Sequence, residues 1–183
     1  MPRTDHPDIE QVLIDAATIQ ARVRELAAEI SADYAGVDQL VVVGILKGAF
    51  IFLADLTRHL VVPHIVDFMA LSSYGASATS SGQVRIQLDL RRPIEGAHVL
   101  IVEDIVDTGL TLAYLRETLK ARRPASLRAC VLLDKAERRQ VPVEVEYLGF
   151  HIPDVWVVGY GLDYSEAHRT LPFIAVLKPE VYS

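Results

Sequence analysis

Residues 99–111 read Val-Leu-Ile-Val-Glu-Asp-Ile-Val-Asp-Thr-Gly-Leu-Thr. Four apolar residues announce a buried strand, an acidic pair follows at Glu103 and Asp104, and a short loop, Asp107-Thr108-Gly109, runs into a helical pattern near Thr111. This is chemistry suited to a sugar phosphate. Backbone N–H groups and the positive end of a helix dipole hold phosphate, and the hydroxyls of Thr108 and Thr111 add donors. Carboxylates beside that loop accept from ribose hydroxyls or hold hydrated Mg²⁺. The plain alternative is a strand followed by an acidic first helical turn, but that reading requires neither two acids nor Asp-Thr-Gly-x-Thr. An aspartic protease would need a second catalytic Asp on an all-β scaffold, and no second Asp-Thr-Gly occurs.

A second anion site is written at Gly44-Ile45-Leu46-Lys47-Gly48, where a strand turns into a helix through a Lys and a Gly. Standing alone, Lys47 is equally a solvated turn residue. Leu133-Asp134-Lys135 ends another apolar run and puts an ammonium where it can donate to an exocyclic carbonyl oxygen; taken alone it is equally a solvated Lys. In the segment 155–164, Val-Trp-Val-Val-Gly-Tyr-Gly-Leu-Asp-Tyr, Trp156 is either a core anchor or a stacking platform.

The elements that must position these groups follow from periodicity. Asp15 caps a helix expected over 16–34, with Ile19, Val23, Leu26, Ile30 and Tyr34 on one stripe and Gly36 beyond its end. Strands are expected at 40–43, 64–71, 84–88, 99–102, 127–133, 145–150, 155–158 and 173–176, and helices at 49–60 and 111–122, the latter stopped by Pro124. Residues 72–83 lose all periodicity and are rich in small and hydroxyl residues, so they read as a mobile loop. Residues 1–10, with two prolines and three acids, read as a flexible N-terminal arm. Strand–helix alternation implies an α/β fold, a mainly parallel sheet with helices on both faces. Its ligands sit at the carboxyl ends of the strands, where Lys47, Glu103, Asp104 and Lys135 converge on one rim.

The bulk properties narrow the function. A chain of 183 residues is expected to form one domain, here over 11–183. A net charge of −6 argues against a general nucleic-acid or membrane-surface binder. The single cysteine, Cys130, excludes an intrachain disulfide and lies in an apolar run as a structural thiol. No apolar run approaches a membrane span and no secretory h-region is visible, so a cytoplasmic protein is expected. The six histidines show no metal-ligand spacing, and the pairs Arg122-Arg123 and Arg138-Arg139 read as solvated faces.

The segment 99–111 resembles the phosphoribosyl-diphosphate (PRPP) motif of type I phosphoribosyltransferases, with every place of the pattern filled. Leu46-Lys47-Gly48 resembles the pyrophosphate loop of the 6-oxopurine branch, in which the bond before the Lys can be cis. Ser73-Tyr74 resembles its flexible lid loop, and Trp156, Val157 and Asp163 fall at its purine-binding places, where Phe is the usual aromatic. The resemblance spans about residues 12–182. It implies a type I phosphoribosyltransferase fold with a small hood subdomain and a lid. It implies transfer of phosphoribosyl from PRPP to N9 of hypoxanthine, and of guanine, with Mg²⁺ as cofactor. Asp107 would be the catalytic base at purine N7. Glu103, Asp104, Thr108, Gly109 and Thr111 would bind PRPP; Lys47, Gly48 and Arg169 the pyrophosphate; Lys135, Trp156, Val157 and Asp163 the purine. Glu103, Asp104 and Asp163 would hold the metal. Relatives form dimers or tetramers, so a homo-oligomer is expected, with small-molecule substrates and neither nucleic acid nor membrane as partner. Two rivals stay open: a phosphoribosyltransferase for another base such as xanthine, and a nucleotide-binding regulator of the same fold. A phosphoacceptor receiver domain also uses an acidic pair on a parallel sheet but has no use for the Asp-Thr-Gly-x-Thr loop or the Trp156 segment.

Overall fold

Runs of β-branched and aliphatic residues build the centre of the molecule. Val42, Leu100, Val102, Cys130 and Leu132 bury one way; Val41, Val43, Val99, Ile101, Ala129 and Val131 bury the other. This period of two across neighbouring strands, apolar on both faces, is what a sheet covered on both sides demands. The computed structural model describes residues 6–73 and 84–182. Its elements are β1 (Ile9–Ile14), α1 (Ala16–Asp33), β2 (Leu40–Leu46), α2 (Phe50–His59), β3 (His64–Ser73), β4 (Val84–Leu88), β5 (His98–Val106), α3 (Leu110–Lys120), β6 (Ser126–Asp134), a 3₁₀ turn (Ala136–Arg138), β7 (Tyr147–His151), β8 (Val157–Val158), β9 (Ile174–Leu177) and α4 (Pro179–Tyr182).

The main sheet has the order β4-β3-β2-β5-β6-β7, parallel throughout except for the antiparallel edge strand β4. From β2 the chain proceeds outward to β3, and from its neighbour β5 it proceeds the other way to β6. The order therefore reverses between β2 and β5, which opens a crevice beyond their carboxyl ends. α1 and α2 cover one face and α3 the other. α1 is capped by Asp15, whose Oδ1 accepts from the Thr18 N–H at 2.9 Å, and it buries the expected stripe of Ile19, Val23, Leu26 and Ile30. Each such side chain contributes roughly 1.5–3 kcal/mol by leaving water. Cys130 is fully buried and burial pushes its thiol pKa up, as a structural cysteine requires.

A second, three-stranded antiparallel sheet, β1-β9-β8, carries its own small core of Ile9, Val158, Phe173, Ala175 and Leu177. It corresponds to the expected hood. It also corrects the reading of residues 1–10 as a loose arm. Ile9 and Glu10 belong to β1, and Ile9 is buried because it pairs with Leu177 at the other end of the chain. β5 is longer than expected, so Glu103 and Asp104 stand within its last turns of pleat rather than after it. The strand expected at 155–158 shrinks to β8, and that at 145–150 begins at Tyr147. Tyr74 and the rest of the expected lid, residues 74–83, lie outside the described residues, while Ser73 ends β3.

Candidate active site

Beyond the carboxyl ends of β2 and β5 lies an open cleft of about 510 Å³, walled by Lys47, Gly48, Glu103, Asp104, Asp163 and Arg169 among others. A second hollow of about 280 Å³ adjoins it, walled by Asp107, Thr108 and Gly109. Glu103, Asp104 and Thr111 line both.

The smaller hollow sits at the start of α3. Gly109 takes φ +86°, a left-handed conformation that a side chain resists. A Cβ there would lie 2.9 Å from the Val141 carbonyl oxygen and 3.0 Å from Arg139 Cδ. The Thr108 carbonyl accepts from the N–H of Gln140 at 2.9 Å, which fastens the loop from behind. The Gly109 cap offers no side chain to the helix end, and among the first-turn amides the Leu110 N–H makes a long contact of 3.4 Å to Thr108 Oγ1. The first-turn amides of α3 therefore face the hollow as an anion site.

The acids are held in an unusual state. Glu103 is buried, its Oε2 has no hydrogen-bond partner among the described residues, and Asp104 is its neighbour. Burial, and then the Asp104 charge, push its pKa up to about 8. Asp104 is half-buried; burial lifts its pKa to about 6, against backbone N–H groups and Arg169, which favour the charged form. Two carboxyls that bind protons this readily in place of a cation form a site that a cation would complete.

Two glycines set how closely the loops approach. A Cβ on Gly48 would fall 1.7 Å from Asp104 Oδ2, and one on Gly161 (φ +106°) 1.9 Å from the Gly48 carbonyl oxygen. The Lys47 loop, the acid pair and the 156–169 segment therefore touch in series. The Leu46–Lys47 bond is cis. Tyr160 locks the 156–169 segment to the core. Its hydroxyl donates to Asp55 Oδ2 at 2.6 Å, the same oxygen that Gln20 Nε2 reaches at 2.6 Å.

Both candidate pyrophosphate cations are paired. Lys47 Nζ donates to both oxygens of Glu166 at 3.1 Å. Arg169 pairs with Asp163 at 2.8 Å and Glu166 at 3.3 Å, and donates to the Gly161 carbonyl at 2.8 Å. The hydrogen bond from Lys47, and then that from Arg169, hold the Glu166 pKa below its usual value. Glu166 is absent from the sequence-based set of site residues. Its only signal was its place between Asp163 and Arg169.

On the purine side the structure changes one reading. Arg138 is exposed, as expected, and Arg139 half-buried, but both are tied into ion pairs that the reading as solvated faces did not include. Arg138 Nε meets Asp107 Oδ1 at 2.8 Å and its guanidinium also reaches Asp154 at 3.5 Å, while Arg139 pairs with Asp134. The 3₁₀ turn that follows β6 swings both back over the Asp107 loop, and no periodicity foretold so short an element. Lys135 is buried, its N–H donates to the Val106 carbonyl at 3.0 Å, and its Nζ lies 3.5 Å from Asp154. Asp107, Arg138, Asp154 and Lys135 thus form one charged chain. Trp156 is 45% exposed, so it is not the core anchor that its apolar neighbours permitted. Its ring stacks on Tyr182 at 5.4 Å and meets the edge of Tyr164, next to Asp163, at 5.9 Å. Neither hollow is walled by Lys135 or Trp156; Lys135 is linked to the Asp107 loop through Asp154 and Arg138, and Trp156 touches Tyr164, the residue after Asp163. Val157 is buried in β8, opposite Val176.

A sequence model of the phosphoribosyl transferase domain matches residues 13–165, most of the chain. This chain belongs to the phosphoribosyltransferase family. It is 49% identical to the hypoxanthine-guanine phosphoribosyltransferase of Bacillus subtilis over 175 residues, 96% of this chain and 97% of that one. The enzyme of the same name from Mycobacterium tuberculosis is 50% identical over 180 residues, 96% of this chain and 89% of that one. A Trypanosoma cruzi hypoxanthine phosphoribosyl transferase structure superposes with a TM-score of 0.92 at 50% identity, covering 97% of this chain and 96% of that chain. A family member of this fold is expected to keep its phosphate chemistry at the β2/β5 crevice, which is where the cleft lies.

The three acids read as metal ligands from sequence line the large cleft with hard oxygen donors, and a buried Glu103 oxygen lacks a partner among the described residues, but their donor atoms do not converge as a triad. Mg²⁺ keeps several waters and needs one or two protein carboxylates, so the donor set fits it.

Proposed function

We propose that this chain transfers the 5-phosphoribosyl group of PRPP to N9 of hypoxanthine, and of guanine, releasing pyrophosphate and the nucleoside monophosphate in purine salvage. The observation that carries this reading is the pair of adjoining hollows that share Glu103, Asp104 and Thr111. One ends on helix amides suited to a 5′-phosphate and the other between two cations suited to pyrophosphate.

In this reading Thr108, Gly109 and Thr111 hold the 5′-phosphate through backbone amides and hydroxyls. Glu103 and Asp104 accept from the ribose hydroxyls and, with Asp163, hold Mg²⁺. When bound, Mg²⁺ neutralises pyrophosphate charge as the C1–O bond breaks. Lys47 and Arg169 exchange their carboxylate partners for the leaving group, and the Gly48 backbone lets it approach closely. Trp156 stacks on the base through a ring face, the Val157 backbone reads its edge, and Lys135 donates to the 6-oxo group, which selects against a 6-amino base. As N9 attacks C1, the carboxylate of Asp107 takes the N7 proton, which supplies about 10²–10⁴-fold in rate. Ser73 and Tyr74 belong to a lid that keeps water from the sugar cation. The chain acts as one domain and works in the cytoplasm as a homodimer or homotetramer without nucleic-acid or membrane partners. Among the described residues no helix is long and apolar enough to cross a membrane.

Steady-state assays with PRPP, Mg²⁺ and each of hypoxanthine, guanine, xanthine and adenine test this. Hypoxanthine and guanine should give nucleotide and adenine none; failure with both hypoxanthine and guanine would overturn the assignment.

A further inference from the structure

Away from the cleft, the fold brings together three residues that lie far apart in sequence. His6 and Asp8 precede β1, and His168 precedes Arg169. One ligand atom from each lies within 4.8 Å of the others, and among the described residues this is the one place where three such donors converge. His168 Nε2 stands 3.3 Å from Asp8 Oδ2, and His6 Nδ1 stands 3.7 Å from the same oxygen. Two ligands of a tetrahedral zinc, each about 2.0–2.1 Å from the ion, are separated by roughly 3.3 Å. The two spacings to Asp8, 3.3 and 3.7 Å, stand near such an edge, and the cluster as a whole, spanning up to 4.8 Å, closes by small side-chain rotations of the partly exposed His6.

The backbone fixes this arrangement from all sides. The Asp8 carbonyl accepts from the Lys178 N–H at 2.9 Å, just past β9, and the His6 carbonyl accepts from the Ile9 N–H at 3.0 Å. His168 adopts φ +71°, a conformation that few side-chain-bearing residues tolerate, and its carbonyl accepts from the Leu171 N–H at 3.2 Å. The His168 side chain is 9% exposed and the other two about four times more, so the cluster has a buried floor and an open side. The Asp8 N–H reaches His6 Nδ1 at 3.3 Å, a long contact that an ion readily replaces.

We propose that His6, Asp8 and His168 form a binding site for a divalent transition-metal ion of the Zn²⁺ class, separate from the Mg²⁺ carboxylates. Two imidazoles and one carboxylate select Zn²⁺ and its neighbours over Mg²⁺, which prefers oxygen donors. The ion clasps the segment before β1 to the residue beside Arg169, and so stiffens the loop that carries Asp163, Glu166 and Arg169.

The test uses the full chain, stripped of metal by chelation and dialysed into saturating MgCl₂ to fill the acid cleft. Calorimetric titration with ZnCl₂ should show one ion per chain. Co²⁺ in its place should give the intense visible bands of a low-coordinate imidazole site. His6→Ala and Asp8→Asn should each weaken Zn²⁺ binding at least about tenfold and leave the visible bands faint, with hypoxanthine turnover unchanged. His168→Asn should do the same to binding while keeping the backbone, since Asn tolerates the left-handed region. Each variant's circular dichroism must match the parent. Zn²⁺ binding that is absent, or of equal strength in the parent and in the triple variant, would overturn the site.

Discussion

Glu103→Gln isolates the electrostatics of the acid pair. The Glu103 carboxyl is 5% exposed, and burial moves its pKa from 4.5 to about 8. The folded chain therefore holds this proton more tightly than the unfolded chain. Between pH 4.5 and 8 the folded state binds more protons, so stability falls as pH rises. The penalty from this one group is about 2 kcal/mol at pH 6 and about 4 kcal/mol at pH 8, the slope being 1.36 kcal/mol per unit. Asp104, displaced only to about 6, adds little slope above that pH, so the interval from 6 to 8 reports mainly Glu103. Glutamine has nearly the same shape and no charge to desolvate. Relative to the parent, the variant should gain about 2 kcal/mol between pH 6 and 8. For a chain of this length that is roughly 4–8 °C in melting temperature. The assay is a set of thermal melts at pH 6, 7 and 8 in a chelating buffer. Millimolar Mg²⁺ should flatten the parent's slope, because the ion replaces the proton, while the variant, which has no Glu103 proton to replace, should keep the slope it shows without metal. Parallel pH dependences for parent and variant without metal would refute the argument that burial governs this carboxyl.

Asp107→Asn should lower kcat by about 10²–10⁴-fold while PRPP binding changes little; equal losses in both would make Asp107 a loop-orienting group. Lys135→Met should raise KM for hypoxanthine by roughly 10–100-fold, since a charged hydrogen bond contributes about 1.5–3 kcal/mol. An unchanged preference for 6-oxo over 6-amino bases would count against it. Gly161→Ala places a methyl 1.9 Å from the Gly48 carbonyl and should raise KM for PRPP and pyrophosphate far more than KM for the base; normal kinetics would show that the two loops need not touch. Tyr160→Phe leaves Asp55 with one fewer donor and should cost about 1–3 kcal/mol, read as a fall in melting temperature. No fall would mean that the Tyr160–Asp55 bond is not holding the 156–169 segment.

Much of this was legible because it is local. Apolar runs bounded by turn residues located β2, β5 and β6, and the order of acids, Asp, Thr and Gly put the Asp107-Thr108-Gly109 loop between a strand and a helix, where it joins β5 to α3. What escaped was long-range. β1 looks like a polar arm until β9 arrives to pair with it, because its outward residues Glu10 and Gln11 hide the inward Ile9. Arg138 carries no motif; only the 3₁₀ turn makes it a partner of Asp107. His6 and His168 lack any ligand spacing along the chain, yet the β1–β9 pairing carries them to the same edge. Glu166 sits in a tight run of left-handed residues, Ser165, Glu166 and His168, that composition alone does not announce.

The pairing of β1 with β9 also dictates an order of events during synthesis. The six-stranded sheet is complete once β7 has left the ribosome, so the phosphate cradle can form on a nascent chain. β1, translated before the main sheet, must wait with Ile9 exposed until β9 emerges. Chains stalled before β9 would then carry a finished six-stranded sheet and the loop at the start of α3, and would present an unpaired apolar strand to chaperones.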